Sequence, residues 1–155
     1  MSLSDVVRYH ARKQNRPDDR DTLTQLANAL KKERGCDYLA IASLAHASGH
    51  ARVVFDSIRH PAEVQALTNR GVVMVGIDAS LAQCYERIQS RGKGTDGVSF
   101  EAFKQQDAYE MSGASYGQHI STCLDLCDVR ITNNGTLTDL FDCIDAIIEE
   151  ANSGK

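Results

Sequence analysis

The apolar residues of this chain recur in two rhythms. Over residues 4–15, 22–34 and 38–47 they fall three and four apart, or in a dense alanine-rich run, as one face of a helix requires. Leu23, Leu26, Ala27 and Leu30 form the clearest stripe, with Asp21 suited to the cap before it and Gly35 to the stop after it. Ser4 suits the cap of the first helix. The rhythm then changes. Val53-Val54-Phe55 and Val72-Val73-Met74-Val75-Gly76-Ile77 are short, continuous and rich in β-branched side chains, and each ends in an aspartate. That pattern predicts buried strands over 52–56 and 72–78. Residues 128–133 alternate instead, which predicts a third strand nearer an edge. Between the strands the spacing predicts helices over 62–69, 80–91, 99–110, 118–126 and 137–151. Pro61 and Glu63 mark the start of the first of these, Ser99 caps the third and Thr136 the last. Leu81, Cys84, Tyr85 and Ile88 give the 80–91 helix its inward face. Strands alternating with helices predict an α/β fold, a parallel sheet between helical layers, in a single domain over 1–155.

Composition narrows the function classes. The 155 residues match one domain of ordinary size, and no apolar run approaches the roughly 20 residues that span a bilayer. The first residues have no basic stretch followed by an apolar one, so a secretory leader is not expected. Five cysteines, Cys36, Cys84, Cys123, Cys127 and Cys143, form an odd set without a CxxC pair. Reduced thiols in a cytoplasmic protein are expected, with Cys84, Cys123 and Cys143 on inward helix faces. The five histidines are spaced as surface or packing residues. A net charge of −4 argues against general nucleic-acid binding but leaves room for a local cationic pocket.

The chemistry-bearing residues cluster at the ends of elements. Asp56 and Arg59 follow the first strand, at the sheet edge where open α/β folds bind ligands. Arg87 and Arg91 sit four apart on one helix beside Lys93, and arginine's planar donor fork suits phosphate oxygens. Taken in order, these features resemble the P-loop nucleotide kinases, among them the dephospho-CoA, adenylate and deoxynucleoside monophosphate kinases. Leu3-Ser4-Asp5-Val6-Val7-Arg8 resembles their acceptor-site segment. Val54-Phe55-Asp56-Ser57-Ile58-Arg59 resembles their strand ending in an Asp-Gly pair followed by an arginine. Glu86-Arg87 through Arg91 and Asp96 is similar to their helix and lid, here about 87–117. The run from Cys127 to Leu137 resembles the late strand and loop around the ATP adenine.

The resemblance implies a three-layer α/β/α fold and phosphoryl transfer from ATP, with Mg²⁺, to a nucleotide or CoA precursor. Asp5, Arg8 and Arg59 would hold the acceptor, and Asp56, Arg87 and Arg91 would serve the chemistry, Asp56 also lying near Mg²⁺. Asn133, Asn134 and Gly135 would bind the cofactor. The defining GxxxxGK[ST] loop occurs nowhere in these residues. The chain therefore reads as a kinase-like fold lacking its first strand and P-loop, impaired in transfer, either truncated or degenerate. A non-catalytic nucleotide-binding or regulatory module and an interaction domain are the alternatives. Omitting the central strand is expected either to zip the first two runs together or to leave an edge that a homo-oligomer covers.

Overall fold

Helix formation follows the local signals closely. The computed structural model describes residues 1–92, 97–113 and 116–153, and these form an α/β protein that is mostly helical, with one small parallel sheet. Two compact units are distinguished by their internal contacts, Met1–Met74 with Ala108–Cys127 and Val75–Asp107 with Asp128–Lys155.

The first unit is built from α1 (Leu3–Lys13), α2 (Arg20–Arg34), α3 (Tyr38–Ala47), α4 (Pro61–Thr68) and α7 (Ile120–Asp125). On α1, Leu3, Val7 and Ala11 repeat every fourth residue and are buried as one stripe. They meet Leu26 and Leu30 of α2, Leu39 and Ala40 of α3, Val64 and Leu67 of α4, and Cys123 of α7 in one apolar cluster. The caps fix the entry points. Asp19, two residues before the expected cap, accepts from the Thr22 backbone N at 2.9 Å and from its hydroxyl at 2.7 Å. Glu63, in the first turn of α4, reaches back to the His60 N–H at 3.0 Å, and His60 Nδ1 accepts from Ala62 N at 3.2 Å. This is a capping box with histidine in the usual place of serine.

The second unit pairs β1 (Val75–Asp78) with β2 (Val129–Thr132) in parallel, Val75 opposite Val129 and Asp78 opposite Thr132. It also holds α5 (Leu81–Arg91), the larger part of α6 (Phe100–Ser112) and α8 (Leu137–Ser153). Ser80 caps α5 through Gln83 N, and Gly92 ends it in the left-handed conformation at φ 61°. Tyr85 of α5 packs edge-on against Phe100 and lies beside the buried Phe103.

Three expectations are corrected here. Residues 52–56 form no ladder strand; their bridge is a single parallel one, Asp56 with Ser2, and Val54 is 80% exposed. Of the two outcomes expected for the first and second apolar runs, direct pairing is not found among the described residues: Val75–Asp78 pairs with Val129–Thr132, and Asp56 bridges to Ser2. The second run is a strand only over Val75–Asp78, with Val75 and Ile77 exposed. Cys143 is exposed, since no residue of α8 is buried despite its amphipathic spacing. No helix among the described residues is long and apolar enough to cross a membrane.

Candidate functional site

The Ser2–Asp56 bridge draws together two segments that lie more than fifty residues apart. Asp56 N donates to the Met1 carbonyl and Leu3 N donates to the Asp56 carbonyl, both at 3.0 Å. From this point one segment continues as α1, which carries Asp5 and Arg8, and the other turns through Ser57 to Arg59. Ser57 turns with φ 64°, in the left-handed region where a side chain costs about 1–2 kcal/mol. It stands where the resembled pattern has glycine, and it keeps glycine's backbone shape.

Hydroxyl contacts hold Ser57 there. Ser57 Oγ donates to Asp56 Oδ1 at 2.9 Å and accepts from Ser2 Oγ at 2.9 Å and from Ser4 Oγ at 3.3 Å; the Ser2 and Ser4 hydroxyls are 2.6 Å apart. Each hydroxyl has one hydrogen, so the chain of donors runs toward the Asp56 carboxylate. The neighbouring Ser2 hydroxyl, more than that of Ser57, holds the Asp56 carboxyl below its ordinary range, against a smaller opposing effect of burial. Ser57→Ala keeps the strained backbone and loses these bonds, and is expected to lower stability by about 1 kcal/mol. Ser57→Gly loses the same bonds but relieves the strain, so urea denaturation is expected to find it more stable than the alanine variant.

The two arginines of this unit expected at the acceptor site, Arg8 and Arg59, are both engaged. Arg8 Nη1 lies 3.2 Å from Asp5 Oδ1 and its Nε 3.3 Å from Asp18 Oδ1. Arg59 Nη1 donates to Gln118 Oε1 at 3.1 Å, its backbone N donates to Glu63 Oε2 at 2.9 Å, and its carbonyl accepts from His119 N at 2.8 Å.

Beside the serine cluster, α1 and α3 border a cavity of about 200 Å³ whose lining includes Ser2, Asp5, Tyr9, His10, Ser43 and His46. Tyr38 also lines it, with its phenol 2.9 Å from His10 Nε2 and 3.0 Å from the donating Arg34 Nη1. Burial, then the charges of Arg34 and Lys13, push the His10 pKa down, so the ring is neutral at neutral pH. The assignment that uses every hydrogen has Arg34 donating to the phenol oxygen and the phenol donating to Nε2. His46 Nδ1 is 2.7 Å from the Ala42 carbonyl, which can only accept, so Nδ1 carries a hydrogen. Ser43 Oγ is buried and has no hydrogen-bond partner among the described residues.

The second unit gathers another group. Asp78 ends β1, with Arg130 Nη2 2.7 Å from one carboxylate oxygen and Ala79 N donating to the other at 2.8 Å. Asn133 N extends the ladder to the Asp78 carbonyl at 2.8 Å. Its side chain accepts from Gly135 N at 3.1 Å, Asn134 Oδ1 accepts from Ser80 N at 2.7 Å, and Arg87 Nη2 donates to the Gly135 carbonyl at 2.9 Å.

No protein-family model matches the chain. It is 27% identical over 155 residues to the UPF0200 protein MJ1399 of Methanocaldococcus jannaschii, which covers 97% of this chain and 76% of that protein. A UPF0200 protein of Hyperthermus butylicus is 29% identical over 140 residues, 88% of this chain and 73% of the relative. A UPF0200 protein of Methanoregula boonei is 30% identical over 141 residues, 88% of this chain and 75% of the relative. The chain belongs to the UPF0200 family.

In this UPF0200 chain the predicted site residues divide between the two units. Asp5, Arg8, Asp56 and Arg59 belong to the first and Arg87, Arg91, Asn133, Asn134 and Gly135 to the second. Arg87 meets the 133–135 turn directly, and Arg91 is exposed at the end of α5. Lys93 and Asp96 lie outside the described residues. Among the described residues no group of three or more His, Cys, Asp or Glu side chains could hold a metal ion, and Asp56 offers one carboxylate. Sequence reasoning missed His10, Ser43 and His46 as cavity residues. The available signal was polar side chains on the apolar sides of two adjacent helices.

Proposed function

We propose that this UPF0200 chain carries the acceptor side of a nucleotide-kinase-like phosphotransferase of three-layer α/β/α, P-loop-kinase type. One observation carries the reading. The two segments that separately resemble the acceptor site, 3–8 and 54–59, are joined through the Ser2–Asp56 bridge, and Asp5 and Val6 of the first border a cavity.

In this reading the cavity takes the organic part of the acceptor, and Arg8 and Arg59 take its phosphate. Arg8 exchanges the Asp5 and Asp18 carboxylates for phosphate oxygens, and Arg59 exchanges the neutral Gln118 amide oxygen for a charged one. Asp56 accepts hydrogen bonds from the serine cluster and stays ionised, so it can orient an acceptor hydroxyl. In the second unit, Arg87, Arg91 and the 133–135 turn are the residues this reading assigns to the donor nucleotide.

ATP would supply the phosphoryl group and Mg²⁺ its charge neutralisation. The residues present do not build the cradle for either. The sequence holds no GxxxxGK[ST], and among the described residues Asp56 belongs to no group of three or more carboxylate, His or Cys side chains. The same fact favours a second reading, a nucleotide-binding module that keeps the acceptor residues and performs no transfer.

Calorimetric titration with nucleoside monophosphates and dephospho-CoA tests the proposal. Micromolar binding of one acceptor is expected, weakened about 10- to 100-fold by Arg59→Ala, as loss of a charge-assisted hydrogen bond implies. Binding that Arg59→Ala leaves unchanged would remove Arg59 from the site.

A further inference from the structure

Two charged side chains of the first unit are buried and do not line the cavity. Lys31 of α2 is 5% exposed and Glu63 of α4 is 1% exposed. Lys31 Nζ lies 3.2 Å from Glu63 Oε1, close enough for an ion pair but without a well-directed hydrogen bond. The third titratable group at this spot, the Cys123 thiol of α7, has its pKa pushed up to about 12, by burial first and Glu63 next, so it adds no charge.

A buried ion pair is weak support for stability, because apolar side chains of the same shape often serve as well or better. The pair therefore calls for another explanation, and the second carboxylate oxygen supplies it. Glu63 Oε2 accepts from His60 N at 3.0 Å, the ordinary capping-box bond, and also from Arg59 N at 2.9 Å. That second bond reaches one residue beyond the cap, into the turn that carries the arginine. The Arg59 carbonyl is held from the other side by His119 N at 2.8 Å. The main chain of Arg59 is thus pinned at both its donor and its acceptor.

We infer that Lys31 and Glu63 form a buried strut that positions Arg59. Lys31 balances the carboxylate inside the core, and the carboxylate aims the 59–60 backbone so that the guanidinium leaves the turn in a fixed direction. The inference rests on the reading of Arg59 as a phosphate ligand. Lys31 and Glu63 are positioning residues and touch no substrate.

The experiment compares Lys31→Met/Glu63→Leu, which keeps the shape and loses the acceptor, with Lys31→Met/Glu63→Gln, which keeps an acceptor oxygen and loses both charges. Amide hydrogen exchange at Arg59 and His60 is measured against the amide of Leu67 as internal reference. Affinity is measured for adenosine 5′-monophosphate and, as the phosphate-free control, adenosine. In the leucine variant, exchange at Arg59 and His60 is expected to rise at least about tenfold with Leu67 unchanged. Affinity for the monophosphate is expected to fall about tenfold while that for adenosine holds, and the glutamine variant restores both. Should the leucine variant not fold, Glu63→Asp, one methylene too short to reach Arg59 N, is expected to give the same rise at Arg59. Unchanged exchange at Arg59, or equal losses for the two ligands, would overturn the strut. A wild-type chain that binds no monophosphate would overturn the acceptor reading, and the exchange measurement would still decide the strut.

Discussion

Lys31→Met is expected to destabilise the fold by about 3–5 kcal/mol, far more than a lysine substitution usually costs. The reason lies in what it leaves behind. Glu63 is 1% exposed, and without Lys31 its Oε1 keeps a charge in the core with no compensating cation. Removing both charges together, as Lys31→Met/Glu63→Gln, is expected to stay within about 1 kcal/mol of the wild type, because the amide oxygen can still cap α4. Urea denaturation of the two single variants and the double variant forms a cycle with a coupling of several kcal/mol. Additive costs, with Lys31→Met below about 1 kcal/mol, would show the pair to be solvated after all.

Leu67→Ala is expected to cost about 2–5 kcal/mol, while Val54→Thr stays within about 0.5 kcal/mol. Leu67 is completely buried in the cluster where α4 meets its neighbours, so truncation leaves a cavity that the packed helices fill only in part. Val54 looks like the better core residue in sequence, the centre of a continuous apolar run, yet it is 80% exposed. Thermal or chemical denaturation of the two variants separates these cases. A large loss at Val54 would mean that the 52–56 run is buried as a strand in solution.

That contrast shows where sequence and fold part. Helices were legible because their causes are local, although α1 begins at Leu3, ahead of the expected Ser4 cap, and Asp19 caps α2 in place of Asp21. The 38–47 helix has the observed bounds of α3, Pro61 and Glu63 open α4, and the Thr136 hydroxyl caps α8 by accepting from Asp139 N at 3.2 Å. Strands were less legible because a run such as 52–56 becomes a strand only when a distant segment pairs with it. For Asp56 that segment is the start of the chain. Cys143 failed for a related reason: helical spacing tells which residues of α8 share a face, and not whether anything covers it. The turn through Asp56 to Arg59 was legible as a break after an apolar run, but the Lys31–Glu63 pair was not, since nothing near a lysine in α2 announces a carboxylate thirty-two residues on. His10, Ser43 and His46 became cavity residues only when α1 and α3 packed together.

The most direct test of the central claim is a ¹⁵N-resolved NMR titration of the 155-residue chain with a nucleoside monophosphate. The acceptor reading predicts shifts concentrated at Asp5, Arg8, Ser57 and Arg59 and at the cavity residues Tyr9, His10, Ser43 and His46. Absence of shifts at millimolar ligand, or shifts confined to the Arg87 and Asn133–Gly135 region, would contradict it.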